Sequence, residues 1–523
     1  MSYLSKPTNT IHLTTDTWTS SCQRVNYMVV TGHFIDDDWV MHKRIINFRP
    51  IDSHKGDDIA RELLDCIHGW GIKNVMTMTL DNASSNDKAV GFLVKKLHNL
   101  YDGGKHFHIR CMAHILNLIV KDGLMENNCH VDCLRNAISY IRKSTQRIKT
   151  FRKCMKDLNV DPDKFLCGDM PTRWNSTYEM LKIAVDLKEV FFAYELKENN
   201  YHRDLERVPE PFDFDVCKVL IEFLEKFKIK TEIASASSKP LAHLFFREIL
   251  DVDKHLRDWA VHPDFCLMAG AMRDKYDKYW GKYETLNDFM YFAVILDPTM
   301  KLHFIEHCFT KLIKYDITKE NPMSKEAIKK KVSGIVLGIE NRLHGLFETY
   351  KEKFDKVVNT STTQEARNED LVEFDVGNDF FAEFLNVEES NSVAIDTELK
   401  RYLQEPRVDF TKRFDILTWW KQNAIRFPIV SRMARDILAI QISTVASESA
   451  FSTSGRVLDA YRTRLSTNIV EALVCTQDWV RKSRNPIVDD VNDILKDDDI
   501  AIEIEDEINK QKERGMGKMQ SDY

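Results

Sequence analysis

Two aspartates, Asp16 and Asp81, combine a residue type and a sequence setting that suit metal chemistry. Asp16 lies within the segment IHLTTDTW, and Asp81 follows an alternation of valine and methionine with threonine that ends at Leu80. Two carboxylates about 4 Å apart suit divalent cations, because each neutralises part of the metal charge and one can bridge two ions. An aspartate that ends a strand also commonly forms a cap or a turn, and that interpretation stays open at this point.

The elements around these aspartates predict where they lie. Alternating apolar residues and turn residues predict strands over 11–18, 25–35, 39–48, 74–81 and 107–110, with a hairpin turn at 36–38. Helical spacing predicts helices over 57–70, 86–98 and 115–121, the second of them capped by Ser84 and Ser85. This order resembles a ribonuclease H-like core, in which the first and fourth strands are parallel neighbours. We therefore expect Asp16 and Asp81 to face one another.

Beyond this first part the pattern changes. We expect an α/β protein in which an RNase H-like mixed sheet is interrupted by a large all-α insertion and completed by a helical C-terminal segment. The predicted regions are the first part of the core at 1–124, the helical insertion at 125–358, an acidic and partly disordered linker at 359–405, a C-terminal region at 406–482 and a charged, disordered tail at 483–523.

Composition limits the class of protein. The 523 residues include 43% apolar residues, enough for a sizeable core, and the formal charge of −7 means that any nucleic-acid contact must come from local basic patches. Eleven cysteines occur without a CxxC pair, which is typical of reduced core thiols. No apolar run approaches the roughly 18 residues of a membrane helix, so no membrane partner is expected.

Five ordered sequence blocks carry a family resemblance. They are LTTDTWTS at 13–20, LDNASSND at 80–87, RCMAHILNL at 110–118, PTRWNSTYEML at 171–181 and STVASESAFSTSGRVLDAYRTRLS at 443–466. In this order they resemble hAT transposases, especially the plant members of the sleeper type, and the last block resembles the C-terminal dimerisation region of that family.

The resemblance implies a DDE-type catalytic triad at Asp16, Asp81 and Glu448, holding Mg²⁺ or Mn²⁺ if the protein is active. Cys111 and His114 match a Cys-x-x-His block that supports the active site. From the residues alone, His106, His108, Cys111 and His114 also suggest zinc, but their spacing fits no common finger. The family usually carries a BED-type zinc finger ahead of its core, and we expect no zinc finger in this chain.

Two segments are candidate DNA contacts. Arg173 and Trp174 correspond to a family block that contacts DNA at the cleavage site, although a buried tryptophan at a helix start is an equal alternative. The segment RKSTQRIKTFRK has no acidic residue and is the best predicted phosphate-binding surface, with a solvated helix face as its alternative. Its basic residues are Arg142, Lys143, Arg147, Lys149, Arg152 and Lys153.

The C-terminal region contains more large apolar residues than a short helical segment hides alone, so they cover the core, a partner or both. We predict dimerisation through Trp419, Trp420, Phe427, Leu438 and Phe451. A last helix is predicted over 469–480, with Asn468 and Glu471 as a capping box and Val470, Leu473 and Val474 on its buried side.

Together these features predict a nuclear, dimerising, DNA-binding protein of the hAT family, as a homodimer or higher homo-oligomer. In one version it retains metal-dependent DNA cleavage and strand transfer. Because plant relatives are frequently domesticated, the alternative is an inactive nuclear regulator that keeps the fold.

Overall fold

The structure is a computed structural model that describes residues 3–484 except for several gaps. The gaps are residues 7–8, 21–22, 99, 127, 162, 171–172, 237, 284–285, 318–321, 365–397, 410–413 and 458–464. Most of the predicted linker and all but two residues of the predicted tail therefore lie outside the described residues.

A five-stranded mixed sheet holds the predicted aspartates. Its strands are β1 (Ile11–Thr19), β2 (Asn26–Ile35), β3 (Met41–Pro50), β4 (Val75–Leu80) and β5 (His108–Arg110). Their spatial order is β3-β2-β1-β4-β5, with β1, β2 and β3 antiparallel and with β4 parallel to both β1 and β5. The predicted strand order and the parallel pairing of the first and fourth strands are confirmed.

The remaining elements are helical. In chain order they are α1 (Gly56–Gly69), α2 (Ser84–Lys96), α3 (Met112–Glu126), α4 (Asn128–Arg142), α5 (Thr145–Asp157), α6 (Trp174–Asp186), α7 (Lys188–Glu195), α8 (Tyr201–Asp204), α9 (Pro211–Ser235), α10 (Ala242–Trp259), α11 (Cys266–Trp280), α12 (Asp288–Ile295), α13 (Lys301–Tyr315), α14 (Lys325–Gln364), α15 (Glu398–Gln404), α16 (Ile416–Asn423), α17 (Pro428–Leu438), α18 (Val445–Val457) and α19 (Thr467–Arg484). A 3₁₀ helix spans Tyr101–Gly104.

The chain forms two compact units. The first contains residues 1–111, 235–246 and the described residues from 284 onward, and the second contains residues 112–234 and 247–283. The predicted helical insertion at 125–358 is thus divided, since α12, α13 and α14 belong to the first unit. All eight residues of α12 are buried, which explains why this helix is part of a core.

In the second unit, α3 packs closely against α11. Gly123 makes this approach possible, because a Cβ atom there would overlap the side chain of Met272. The contact packs α3, which the sequence placed in the first part of the core, on α11 of the predicted insertion.

The two faces of the sheet differ because side chains alternate along each strand. Apolar residues such as Leu13 and Met78 face α1 and α2, where they join Leu63 and Leu93 in one core. On the opposite face, Tyr27, Val29 and Phe48 pack against Val470 and Val474 of α19. The predicted helical C-terminal segment therefore completes the core of the sheet.

Several of the predicted dimerisation residues are core residues of their own chain. Trp420, Phe427 and Leu438 have no exposed surface. The Trp420 indole donates to the Leu296 carbonyl oxygen over 2.9 Å and stacks on Trp39 at a centroid distance of 6.5 Å. Because these side chains are already enclosed, the prediction that they line a partner surface is wrong.

Two other predicted dimerisation residues are partly buried within the chain. Phe451 stacks on Trp18 at a centroid distance of 5.7 Å, and Trp419 packs edge-on against Trp420 at 4.9 Å. Part of each aromatic ring is therefore already packed against another ring of the first unit.

The described end of the predicted linker forms α15, which buries Leu399 and Tyr402, as a partly disordered linker allows. Two local predictions differ from the structure. α2 begins at Ser84 without a side-chain cap, so Ser84 and Ser85 do not cap it. Leu473 is 44% exposed although the sequence predicted it inside. Among the described residues, no helix is long and apolar enough to cross a membrane.

A half-buried carboxylate joins three distant segments of the first unit. Asp436 in α17 accepts hydrogen bonds of 2.7 Å from the Thr10 hydroxyl, next to β1, and of 2.7 Å from the Tyr350 hydroxyl in α14. Burial raises the pKa of Asp436, and the two hydroxyl donors offset part of that effect.

We predict that Asp436→Asn and Asp436→Leu separate the contribution of the hydrogen-bond acceptor at residue 436 from that of its ionisable carboxyl. Asparagine keeps an acceptor oxygen, whereas leucine leaves two half-buried hydroxyls without one and lowers the free energy of unfolding by about 1–3 kcal/mol. Since the folded pKa is raised, this carboxyl stabilises the fold at low pH and loses that contribution as the pH rises through the folded value. Urea unfolding should show wild type losing stability relative to Asp436→Asn from about pH 4 upward. A difference that stays constant with pH contradicts this account.

Candidate active site

The register of β1 and β4 brings Asp16 and Asp81 to one edge of the sheet. Thr14 pairs with Thr79, and each aspartate lies two residues further along its strand direction. Both aspartates line one cavity of about 140 Å³ at the carboxyl ends of these strands. The cavity is completed by Thr15, Thr17, His54, Ile59, Ala83, Ser85 and Asn86. The structure thus unites two residues that are far apart in sequence, at an edge where ligands commonly bind in α/β sheets.

Both carboxylates also take part in local turns. Asp16 Oδ1 accepts a hydrogen bond of 2.7 Å from the Thr17 backbone N–H. Asp81 Oδ1 accepts bonds of 2.9 Å from the Ala83 backbone N–H and of 2.5 Å from the Asn86 side-chain amide. Asp81 therefore shapes the turn into α2, which explains why Ser84 and Ser85 are not needed as caps.

Glu448 lies in the first turn of α18, above the polar face of the sheet. Its carboxylate accepts a hydrogen bond of 3.3 Å from the Thr444 hydroxyl, and the side chain is half-buried. Glu448 is not among the residues that line the cavity of Asp16 and Asp81. Within the part of the chain that the structure describes, no three His, Cys, Asp or Glu side chains form a group that could hold a metal ion. The three-acid metal set remains a prediction.

A buried hydrogen-bond network attaches α18 to the sheet. The Ser447 hydroxyl lies 2.7 Å from the Thr14 hydroxyl, which in turn contacts the hydroxyl of Thr31. The Thr31 hydroxyl lies 2.9 Å from His33 Nε2. Ser447 directly precedes Glu448, so this network sets the position of the residue that carries the third predicted acid.

The same face contains further polar contacts that the sequence analysis missed. His12 Nδ1 lies 2.8 Å from the Thr77 hydroxyl, and burial lowers the pKa of His12 to about 3. The Thr79 hydroxyl donates to the Gln441 carbonyl oxygen over 2.7 Å. Polar residues at every second position of two otherwise apolar strands could have predicted these contacts, because buried hydroxyls require hydrogen-bond partners.

Cys111 has a defined positioning contact. Its buried sulfur accepts hydrogen bonds of 3.3 Å from both the backbone N–H and the hydroxyl of Thr444. It thereby holds the loop that leads into α18 and Glu448. His114 lies half-buried in the first turn of α3, in the second unit.

The other histidines of the zinc alternative have separate surroundings. His106 is buried beside Asp288, and His106 Nδ1 accepts the Asp288 backbone N–H at 3.2 Å. Burial lowers the pKa of His108 to about 4, and the nearby Arg110 acts in the same direction.

The candidate DNA residues Arg173 and Trp174 lie at the start of α6 in the second unit. Arg173 is exposed and occupies the N-cap position. Trp174 is only 2% exposed and packs edge-on against Tyr178 at a centroid distance of 6.4 Å. Since its ring is enclosed, the buried-tryptophan alternative is correct for this structure, and stacking of Trp174 on a base is not supported.

The six basic residues predicted to bind phosphate have two different roles. Arg142 donates to the Leu166 carbonyl oxygen over 2.5 Å, and Arg147 pairs with Asp204 at 3.1 Å, so both stabilise the unit itself. The remaining four residues are exposed, namely Lys143, Lys149, Arg152 and Lys153. The basic surface is therefore smaller than predicted.

Models of known protein families match most of this chain. Four family models match, described as the ZBED1 RNase-like domain at 14–106, the ZBED1 RNase-like helical domain at 109–220, the hAT-like transposase RNase-H fold at 243–350 and the hAT family C-terminal dimerisation region at 398–480.

Similar proteins are known from several plants. The chain is 35% identical to a Zea mays protein named "Putative AC transposase" over 90% of this chain and 57% of that protein. It is 31% identical to RICESLEEPER 2 of Oryza sativa subsp. japonica and 28% identical to DAYSLEEPER of Arabidopsis thaliana, both over 90% of this chain. It spans 65% and 64% of the lengths of those two BED-domain proteins. The ordered family matches and these similarities together show that the chain resembles hAT transposases over most of its length.

Proposed function

We propose that this chain is a dimerising DNA-binding protein that acts in the nucleus and supports metal-dependent DNA cleavage and strand transfer. The observation that carries the proposal is the parallel register of β1 and β4, which brings Asp16 and Asp81 into one cavity. Similarity to hAT transposases and the match to a dimerisation region support the same assignment.

The donor atoms at this edge suit magnesium or manganese. Asp16 and Asp81 provide carboxylate oxygens, the ligand type that these hard cations prefer, and both are at the rim of a cavity large enough for an ion. Bound there, a divalent cation would activate water or a 3′-hydroxyl and stabilise the leaving oxygen of a phosphodiester. The chain itself contributes the fixed spacing of the two carboxylates and, through Ser447 and Cys111, the position of Glu448.

The proposed DNA contact of the second unit is one face of α5. Lys149, Arg152 and Lys153 are exposed, and Lys156 continues the same face one turn further on. Residues three, four and seven positions apart lie on one side of a helix, so these four cations form a stripe. Phe151 and Met155 on the other side are buried, which fixes the stripe toward solvent. Such a stripe suits the phosphates of a DNA backbone.

A DNA-binding regulator without turnover is the second candidate. It is favoured by the hydrogen bonds of the predicted acids, because Asp81 accepts two donors of its own turn and Glu448 accepts the Thr444 hydroxyl. In that case the acids stabilise local structure, and the fold serves DNA binding and dimerisation alone.

We predict that Asp16→Asn and Asp81→Asn each reduce Mg²⁺-dependent nicking of transposon-end DNA by at least about 100-fold. Asparagine at position 81 keeps an oxygen for Ala83 N–H and Asn86, so the turn persists while the negative charge is removed. Nicking is measured on supercoiled plasmid, and DNA binding is measured separately on the same protein samples.

Asp102→Asn is a suitable control, since Asp102 is exposed and lies outside the cavity. It should nick as fast as wild type. If wild type and both active-site variants are equally inactive while all bind DNA, the regulator is the correct function.

We predict that Lys149→Ala with Lys153→Ala weakens DNA binding. Loss of two phosphate contacts should reduce the slope of log affinity against log salt by about 2 and weaken binding for all sequences alike. Fluorescence anisotropy with a random duplex across a salt series measures both effects. The matched control is Lys329→Ala with Lys330→Ala, an equal charge change at exposed residues of α14. An equal slope change in the two double variants would mean that net charge, and not the α5 stripe, governs binding.

A further inference from the structure

The last helix, α19, has an unusual distribution of polarity. Its inward face uses Val470 and Val474, both with no exposed surface, to pack on the sheet. On its outward face, Ile469, Leu473 and Val480 are 48%, 44% and 45% exposed. This helix therefore carries apolar side chains on both sides.

The acidic residues of α19 point toward the chain's own sheet. Glu471 pairs with Arg49 of β3 at 3.0 Å, and an Asp478 carboxylate oxygen accepts the Ile45 backbone N–H at 3.0 Å. The Trp479 indole donates to the Ile45 carbonyl oxygen over 2.9 Å. The charged and polar side chains that would normally hydrate an exposed helix face thus form hydrogen bonds within the chain instead.

The side chains of residues 468–480 that stay exposed to solvent carry no charge. The exposed residues of this stretch are Asn468, Ile469, Ala472, Leu473, Thr476 and Val480. Monomeric proteins rarely expose large continuous apolar patches, and depletion of charge is typical of the centre of a protein interface.

The spacing along this face is that of a helix pair. Ile469, Leu473, Thr476 and Val480, here termed the outer stripe, follow one another at intervals of four, three and four residues. This is the alternation of the a and d positions of a heptad, which forms the contact seam when two helices pack side by side. The outer stripe is thus shaped for another helix.

We propose that the outer stripe of α19 is the contact surface for a second copy of this chain, so that α19 packs against α19 of the partner. The inference rests on the dimerising function proposed above and identifies its surface. Residues 398–480, which include the whole outer stripe, match the hAT dimerisation region. A symmetric dimer uses the same patch on both copies, and an uncharged, mostly apolar stripe is complementary to itself.

The outer stripe also resolves a difficulty with the predicted dimer residues. Trp420, Phe427 and Leu438 are enclosed in their own chain and are not accessible to a partner. The matched region must therefore use other residues, and the outer stripe is its longest run of exposed apolar positions among the described residues. Ile425 is 96% exposed but stands alone.

The test compares charge substitutions in the full chain by light scattering coupled to size exclusion. Wild type is expected at twice the chain mass of 61.1 kDa. Leu473→Glu is expected to shift the protein to the monomer mass, because a charge in the seam must lose its water. Thr476→Arg, which removes no apolar group, should do the same. The matched control is Ile425→Glu, which should remain a dimer.

Circular dichroism and the thermal midpoint of each variant establish that it is folded. A dimer that survives both Leu473→Glu and Thr476→Arg overturns the proposed surface, while dimerisation itself stands. A wild type that is monomeric overturns both the proposed surface and the dimerising function. Binding of a DNA duplex by the same samples reports separately on the DNA-binding proposal.

Discussion

The polar face of the two central strands is the constraint on which the rest of the first unit depends. His12 and Thr14 on β1, with Thr77 and Thr79 on β4, are buried and need hydrogen-bond partners. A buried polar group left without a partner destabilises a fold by about 1–3 kcal/mol, so this face cannot be covered by apolar side chains alone. Part of the requirement is met by Gln441 and Ser447, from a segment more than 300 residues further along the chain.

This requirement links folding to the candidate site. The bond between Thr14 and Ser447 fixes the start of α18, and Cys111 holds the preceding loop through Thr444. Glu448 is therefore positioned by the same contacts that satisfy the sheet. The long helical segments between β5 and α18 are compatible with this arrangement because the returning residues are held by specific hydrogen bonds. One set of polar contacts thus serves both the completion of the core and the placement of the third predicted acid.

The sequence predicted the sheet well, because alternation with a period of two depends on local residues alone. The strands around Asp16 and Asp81, and their parallel pairing, follow from that pattern and from the order of elements.

The sequence predicted the surroundings of single residues less well. Trp420 and Phe427 were assigned to a partner surface, and stacking of Trp174 on a DNA base was one of two alternatives, yet tertiary packing encloses all three. The face of α19 was also ambiguous, since Val470 and Leu473 are both apolar and only the packed sheet decides which one is buried. The role of Asp81 in its own turn likewise depends on the fold around Asn86.

We expect the pairing of β1 and β4 to create one cation site from Asp16 and Asp81. Anomalous diffraction from crystals of the full chain soaked in Mn²⁺ locates such an ion. The expected peak lies about 2.0–2.6 Å from carboxylate oxygens of both aspartates and is lost in Asp81→Asn. If no peak appears at this edge of the sheet, or if the peak persists unchanged in Asp81→Asn, the two carboxylates do not form a cation site.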